Sequence, residues 1–210
     1  MAESVGDIDP DRVRARLERV RERCGPSVEI LVACKYVEEP EMARLAEAGV
    51  ELVGENRLQD LERKQAAHRD DFTWDFIGNV QSRKLKRILP LVRLVHSIAS
   101  DSALKQLDLH ADAETEVLIE VDLGAEQSKG GVAPSAVGDF IARCPARVSG
   151  LMTMPPFTRD PEASRPHFAR LAELAAEHRL ERLSMGTSQD WEVAVAEKAT
   201  IIRLGSALLR

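Results

Sequence analysis

The sequence has few cysteines, no signal peptide and no long apolar run. Its 210 residues include three cysteines, at positions 24, 34 and 144, without a C-x-x-C pair or histidines at metal-ligand spacing. Neither a disulfide framework nor a zinc site is therefore predicted. The first ten residues lack the basic-then-apolar order of a signal peptide, and no apolar run approaches membrane-spanning length. We predict a cytoplasmic protein without a metal or a membrane partner.

The chain also lacks an excess of positive charge. Its formal net charge is −6 and its isoelectric point is near 5.5, whereas nucleic-acid-binding domains usually carry a basic face. One basic cluster is present, formed by Arg83, Lys84, Lys86 and Arg87. It has no interleaved aromatic residues, which favours a solvated helix face. Binding to nucleic acid is thus not predicted, and only salt-sensitive binding to RNA or DNA would revive that alternative.

Short apolar runs alternate with charged, amphipathic segments along the whole chain. Eight runs are predicted to be strands, at residues 28–35, 50–54, 72–78, 91–98, 115–123, 147–154, 182–186 and 200–204. Eight strands that alternate with helices are typical of a parallel barrel inside a ring of helices. A doubly wound open sheet is the alternative, but its usual G-x-G-x-x-G turn after the first strand is missing. The predicted fold class is therefore α/β, a single (β/α)8 TIM-type barrel.

An extra helix is predicted before the barrel. Asp9-Pro10 is a typical helix start, and Gly25-Pro26 a typical stop. Between them runs one narrow apolar stripe, Val13, Leu17 and Val20. We predict a covering helix within residues 1–26 and a barrel over residues 27–210, which together form one domain.

A single lysine, Lys35, closes the first predicted strand. The ordinary explanation is that the strand ends there and the ammonium group reaches water. The functional explanation is that a desolvated lysine amine is a nucleophile, which forms a Schiff base with carbonyl groups. Because side chains alternate along a strand, Lys35 should share the inner face with Ala33, while Cys34 and Tyr36 point toward the helices.

The last two strands end in small, hydroxyl-bearing turns. Residues 184–188 read Ser-Met-Gly-Thr-Ser, and residues 205–206 read Gly-Ser. Parallel barrels often hold a phosphate group in the loops after strands seven and eight. Backbone N–H groups in such turns can approach a phosphate closely, and the hydroxyls add donors. Both turns are therefore predicted to bind phosphate.

Arg203 lies on the predicted eighth strand and shares a face with Gly205. An arginine inside a barrel is costly unless an acceptor meets its hydrogen bonds. One such acceptor is the pyridine nitrogen of pyridoxal phosphate, for which arginine is a known partner. The other is a carboxylate of the fifth strand, Glu120 or Asp122, in a structural ion pair. The sequence leaves both open.

Several separated motifs occur together in this order. They are ACKY at residues 33–36, GENR at 54–57, FIGNVQSRK at 76–84, HSI at 96–98, KGG at 129–131, GLMTM at 150–154, LSMGTS at 183–188 and IRLGS at 202–206. By these motifs the chain resembles the pyridoxal phosphate homeostasis proteins, which are similar to the barrel half of a fold-type III alanine racemase. Three positions depart from that family, which usually has Ser or Thr at Cys34, His at Asp75 and Met at Thr187.

The resemblance implies a pyridoxal 5′-phosphate cofactor. Lys35 would hold it as an internal aldimine, Asn56 would line the pocket, and Arg203 would face the pyridine nitrogen. The implied phosphate ligands are Ser184, Gly186, Thr187, Ser188, Gly205 and Ser206.

The resemblance also implies the function of a monomeric, non-enzymatic protein that binds and releases pyridoxal phosphate and controls its supply. Apo enzymes that depend on this cofactor are the implied recipients. The alternative is a racemase, which needs a second acid–base group opposite Lys35. In alanine racemases that group is a tyrosine from an additional domain of the partner subunit. The only tyrosine here is Tyr36, which strand alternation predicts to point away from Lys35. An arginine at the pyridine nitrogen also weakens the ring as an electron sink.

Overall fold

The structure, a computed structural model, describes residues 7–124 and 130–210, so that Lys129 of the KGG motif lies outside the described residues. Its strands form a closed parallel barrel in sequence order, with β8 paired to β1. The strands are β1 Glu29–Ala33, β2 Leu52–Glu55, β3 Thr73–Phe76, β4 Leu94–Ile98, β5 Glu116–Glu120, β6 Arg147–Met152, β7 Arg182–Thr187 and β8 Ile201–Leu204. The predicted (β/α)8 barrel is confirmed.

Helices surround the barrel. They are α1 Pro10–Cys24, α2 Met42–Glu47, α3 Leu58–His68, α4 Leu85–Ile88, α5 Asp101–His110, α6 Val137–Arg143, α7 Arg165–Glu177, α8 Trp191–Ala196 and α9 Ser206–Leu209. Residues 81–89, whose charged pattern between two predicted strands predicts a helix, are mostly irregular, because α4 lies between 3-10 turns at Ser82–Lys84 and Leu89–Leu91. Pro90 in the second turn has no N–H group to continue an α-helix. No helix within the described residues is long and apolar enough to span a bilayer.

The extra N-terminal helix is confirmed as α1. The side chain of Asp9 accepts hydrogen bonds from the N–H groups of Asp11 and Arg12, at 3.0 and 3.2 Å, which caps the helix start. Arg16 donates to the backbone oxygen of Leu208 at 2.9 Å and so ties α1 to α9. The division at residue 26 stays a prediction. Buried on α1 are Val13, Leu17, Val20 and Cys24.

The barrel has one apolar layer inside and a larger one between the sheet and the helices. Successive strand residues point to opposite faces, so Leu31 lies inside the barrel while Val32 packs toward the helices. The buried inner layer consists of Leu31, Leu52, Leu94, Leu118, Met152 and Ile201. Two residues further along β4 and β8, the buried inner positions are polar, His96 and Arg203. The interior thus becomes polar toward the carboxyl ends of the strands.

Candidate functional site

The carboxyl ends of the strands bring the predicted site residues to one end of the barrel. Ala33 of β1 pairs with Gly54 of β2, so Lys35 and Asn56 follow neighbouring strand ends. A Cβ atom built on Gly205 would lie 3.6 Å from the backbone oxygen of Ala33, which places the end of β8 beside the end of β1. Residues from β1, β2, β7 and β8 therefore surround one opening, as the fold predicts.

Lys35 lies outside the strand that was predicted to contain it. β1 ends at Ala33, and the N–H group of Val37 donates to the backbone oxygen of Cys34 at 2.9 Å, which closes a turn. Lys35 is exposed, and its ammonium nitrogen lies 4.8 Å from the ring centroid of Tyr36. The prediction that Tyr36 points away from Lys35 is wrong, because strand alternation does not continue into a turn. The two side chains form a cation–π pair at the mouth of the barrel.

A buried ion pair lies directly behind this turn. The Nζ atom of Lys64 on α3 donates to the backbone oxygen of Cys34 at 2.7 Å and to the carboxylate of Glu55. Both side chains are buried, with 1% and 0% of their surface exposed. The other oxygen of Glu55 accepts the N–H group of Asn56 at 3.1 Å. The pair thus joins the residue before Lys35 to Asn56.

Cys34 is a buried packing residue, as the alternation predicts. Its Sγ atom lies 3.3 Å from the backbone oxygen of Gly54 and 3.4 Å from Oε1 of Glu55. Burial, together with the Glu55 carboxylate, raises the pKa of the Cys34 thiol. The thiolate is therefore disfavoured at this position, and the thiol is expected to be unreactive.

The turn after β7 is held by an aspartate that the sequence analysis did not single out. Asp190 accepts the N–H group of Thr187 at 2.7 Å and its hydroxyl at 3.0 Å, while its second oxygen accepts the hydroxyl of Ser164 at 2.9 Å. Gly186 has φ +88°, and a Cβ atom there would lie 2.5 Å from Cβ of Ala194. Glycine therefore lets the end of β7 pack on α8. The signal in the sequence that could have identified Asp190 is its position three residues after Thr187.

The two predicted phosphate turns are in direct contact. The hydroxyl oxygen of Ser188, after β7, accepts the N–H groups of Gly205 and Ala207, after β8, each at 3.1 Å. Ser206 lies between these two donors. The structure thus brings five predicted phosphate ligands onto adjoining turns, namely Gly186, Thr187, Ser188, Gly205 and Ser206.

Arg203 is buried inside the barrel, and its hydrogen bonds go to neutral oxygen atoms. Nη1 donates to the hydroxyl and to the backbone oxygen of Ser184, at 2.9 and 3.2 Å, and Nη2 donates to the backbone oxygen of Thr153 at 2.9 Å. Burial lowers the pKa of Arg203 to about 10. Within the described chain its buried Nε atom has no hydrogen-bond partner.

The alternative that was left open for Arg203, a structural ion pair with Glu120 or Asp122, is not formed among the described residues. Among the residues that the structure describes, no hydrogen bond or ion pair joins its guanidinium to Glu120 or to Asp122. Glu120 is partly buried on β5, and burial raises the pKa of its carboxyl group. The guanidinium thus retains one buried donor, Nε, that no carboxylate satisfies.

Ser184 lies deeper in the barrel than the phosphate turns. Its hydroxyl oxygen is 2.8 Å from Nδ1 of His96, and Nε2 of His96 is 3.1 Å from Oδ2 of Asp75. Arg93 holds Asp75 with two hydrogen bonds, at 3.0 and 2.7 Å. The Ser184 hydroxyl is therefore engaged with Arg203 and His96, which separates it from the role implied for it in phosphate binding.

The hydrogen-bonded residues behind Arg203, His96 and Asp75, were largely missed in the analysis of the sequence. His96 was named only as part of the HSI motif near the end of the predicted fourth strand, and Asp75 only as a departure from the family. The available signal was a polar residue at an inward position of an otherwise apolar strand. Burial lowers the pKa of His96 and outweighs the opposing effect of Asp75. Burial raises the pKa of Asp75, but hydrogen bonds from His96 and Arg93 outweigh it, and the net shift is downward.

The sequence relatives share nearly the whole length of the chain. The family model of the alanine racemase N-terminal domain matches residues 8–209. The pyridoxal phosphate homeostasis protein of Aquifex aeolicus is 36% identical over 214 residues, covering 94% of each chain. The protein of the same name from Pseudomonas aeruginosa is 34% identical over 210 residues, covering 94% of this chain and 91% of the relative.

Solved structures have the same fold. PipY from Synechococcus elongatus, with pyridoxal phosphate bound, superimposes with a TM-score of 0.82 at 29% identity and covers 94% of this chain and 100% of PipY. The alanine racemase of Corynebacterium glutamicum shares the fold, with a TM-score of 0.74 at 17% identity over 96% of this chain and 60% of the racemase. The chain belongs to the alanine racemase N-terminal domain family and, within it, to the pyridoxal phosphate homeostasis proteins.

Proposed function

We propose that this protein binds pyridoxal 5′-phosphate covalently through Lys35 and holds and releases it, so that it regulates the supply of the cofactor without substantial catalysis. The observation that carries this proposal is the Nε atom of Arg203, a buried donor without a partner in the described chain. Leaving such a donor unmet costs about 1–3 kcal/mol. A pyridine nitrogen is an acceptor that carries no hydrogen and would satisfy it.

The residues at the opening of the barrel fit the aldehyde group of the same ligand. Pyridoxal phosphate supplies an aldehyde carbon, with which a lysine amine condenses with loss of one water molecule. Lys35 is exposed at the opening, where its amine can meet a ligand from solution. Asn56 follows the neighbouring strand and is proposed to line the pocket. Their backbones are tied together by the buried pair of Glu55 and Lys64.

The turns after β7 and β8 are proposed to hold the phosphate group. The proposed donors are the hydroxyls of Ser188 and Ser206 and the backbone N–H groups of these turns, whereas the N–H group and the hydroxyl of Thr187 donate to Asp190. Ser188 already accepts two N–H groups from the second turn. A phosphate oxygen would accept the same kind of hydrogen bond with a full negative charge, and charge-assisted bonds are about twice as strong as neutral ones.

Replacing Gly205 with leucine is expected to place a large side chain in the space proposed for the phosphate group. One or two charge-assisted hydrogen bonds would then be lost, and the binding of pyridoxal phosphate should weaken by about tenfold to a hundredfold. Binding of pyridoxal, which has no phosphate group, should change by less than about threefold. A Cβ atom has ordinary room at Gly205, at 3.6 Å from its nearest neighbour. Equal losses for both ligands, measured by titration, would place the phosphate elsewhere.

The alternative function is an amino-acid racemase. The ring of Tyr36 lies beside the amine of Lys35, so the argument from strand alternation against a second acid–base group no longer holds. The non-enzymatic function is supported by the names of the relatives, which are homeostasis proteins.

Apo enzymes that use the cofactor are the proposed recipients. Because Lys35 is exposed, an amine of the recipient enzyme could reach the cofactor held there. A cytoplasmic location and a monomeric state stay predictions.

The proposed function is tested with the purified protein and added pyridoxal phosphate. We expect a near-visible absorbance band and, after borohydride reduction and mass mapping, a modified Lys35. Incubation of the loaded protein with each enantiomer of alanine should leave its optical purity unchanged. Absence of the band and of the adduct would contradict cofactor binding, and steady turnover of alanine that is lost in Tyr36→Phe would establish the racemase instead.

A further inference from the structure

Polar side chains form one continuous hydrogen-bonded chain across the barrel interior. It runs from Arg93 through Asp75, His96 and Ser184 to Arg203. Only the last of these residues is proposed to touch the ligand. We propose that His96 is a positioning residue, whose neutral imidazole orients the Ser184 hydroxyl and thereby holds the guanidinium of Arg203 for the ring nitrogen of the ligand. This inference rests on the proposed function and deepens it.

The donors and acceptors along this network fix the positions of the hydrogens when His96 is neutral. A guanidinium has no acceptor atom, so the Ser184 hydroxyl must accept from Nη1 of Arg203, at 2.9 Å. Its own hydrogen can then be donated to Nδ1 of His96, at 2.8 Å. Asp75 accepts a hydrogen from Nε2 at 3.1 Å, so in a neutral His96 the ring hydrogen lies on Nε2 and Nδ1 is the acceptor for the Ser184 hydroxyl. In this neutral Nε2–H form every hydrogen along the network has an acceptor, whereas a protonated ring would donate to the Ser184 oxygen and leave the hydroxyl hydrogen without this acceptor.

The same contacts decide which donor of Arg203 is left for a ligand. Ser184 supplies two acceptors, its hydroxyl and its backbone oxygen, and Thr153 supplies a third. All three bind the terminal nitrogens Nη1 and Nη2. The planar guanidinium is then fixed in orientation, with Nε as the unpartnered donor. Without His96 as its acceptor, the hydrogen of the Ser184 hydroxyl could turn toward Nη1 of Arg203. Two donors would then face each other, which would disturb the orientation of the guanidinium.

Burial, with a smaller contribution from the charges of Arg203 and Arg93, favours the neutral ring of His96. It faces Asp75 from β3, Arg93 from the residue before β4 and Arg203 from β8, while Glu120 on β5 acts on Arg203. Arg93 forms two hydrogen bonds with Asp75 and so balances that negative charge. Burial lowers the pKa of His96 from its ordinary value of 6.5. Protonation at acid pH would place a hydrogen on Nδ1, so that the Ser184 hydroxyl would accept from His96 and its own hydrogen would lose this acceptor.

The test compares two ligands that differ at one atom. Pyridoxal phosphate has a ring nitrogen, and its 1-deaza analogue has a C–H group there. The readout is the ratio of their dissociation constants, because a residue that acts through Arg203 changes this ratio, whereas a merely structural residue weakens both ligands alike. Arg203→Leu defines the ratio when the guanidinium is absent.

We expect His96→Leu to lower the preference for the ring nitrogen by about tenfold, which corresponds to the loss of one hydrogen bond to a charged group. His96→Gln should keep the preference within about threefold, because the amide oxygen can accept from Ser184 while the amide nitrogen donates to Asp75. Since glutamine does not titrate, the affinity of His96→Gln for pyridoxal phosphate should also fall less than that of the wild type as the pH is lowered below 6.5, the ordinary value from which the pKa of His96 is lowered.

His110→Leu is the matched control, since His110 is exposed at the end of α5, and it should leave the ratio unchanged. An unchanged ratio in His96→Leu, or His96→Gln behaving like His96→Leu, would overturn the proposal. If His96→Leu does not fold, Ser184→Ala reaches the same contact from the other side, and an unchanged ratio there would overturn it too. A wild type that binds neither ligand contradicts the proposed function itself, whereas binding at Lys35 with an unchanged ratio contradicts only the role of His96.

Discussion

Replacing Lys35 with alanine is expected to abolish the covalent attachment of pyridoxal phosphate, because Lys35 supplies the amine that is proposed to condense with the aldehyde. The near-visible band and the borohydride-reduced adduct should both disappear. The fold should remain, since the side chain is exposed and its contact in the structure is with the Tyr36 ring. A change of less than about 0.5 kcal/mol in the free energy of unfolding is expected for such a surface position.

Two variants test whether the adduct requires the amine of Lys35, and not only a positive charge at this position or any exposed lysine. Lys35→Arg keeps the positive charge over Tyr36 but cannot condense with an aldehyde, so it should also lack the adduct. Lys86→Ala removes an exposed lysine of α4 and should leave the adduct on Lys35 unchanged. Mass mapping decides the matter, and a reduced adduct that persists in Lys35→Ala would mean that another lysine holds the cofactor.

Replacing Lys64 with methionine is expected to lower the free energy of unfolding by about 3–5 kcal/mol, because it leaves the buried carboxylate of Glu55 without its partner. The same change removes the donor to the backbone oxygen of Cys34. Ligand affinity should therefore fall as well, since this contact holds the turn that carries Lys35. Chemical denaturation gives the first quantity, and titration with pyridoxal phosphate gives the second.

The structure offers two controls for this prediction. Arg87 and Glu62 form an exposed pair with hydrogen bonds of 2.9 and 2.7 Å, and Arg87→Met should cost less than about 1 kcal/mol. The double variant Glu55→Gln with Lys64→Met removes the uncompensated charge and should recover part of the lost stability. A loss below about 1 kcal/mol for Lys64→Met alone would show that Glu55 finds another partner or a proton at little cost.

The barrel could be predicted because its sequence signals are local. Strands of a parallel barrel are buried on both faces, so they appear as short apolar runs, and the helices between them carry charged faces. The cap at Asp9 and the glycine turns after β7 and β8 are equally local, and they were found for this reason. The irregular segment around α4 was predicted less well, since the effect of Pro90 on a short helix competes with the surrounding helical pattern.

The turn at Lys35 was predicted incorrectly because strand length is not a local property. The first strand is predicted to extend to Lys35, but β1 ends where its pairing with β2 ends, at Ala33 and Gly54. Beyond that point the alternation of side chains no longer applies. Lys35 and Tyr36 therefore lie side by side at the surface, a relation that only the pairing of two strands could determine.

By itself, the sequence determined the fold class, the helix that precedes the barrel and the strand ends at which a cofactor site was predicted. Only the tertiary structure decided how the interior polar groups are paired. His96 meets Ser184 across 88 positions, Arg203 meets the backbone of Thr153 across 50, and Lys64 reaches back to Cys34 across 30. These contacts depend on barrel closure and strand register, which bring residues together whose separation along the chain carries no periodic signal.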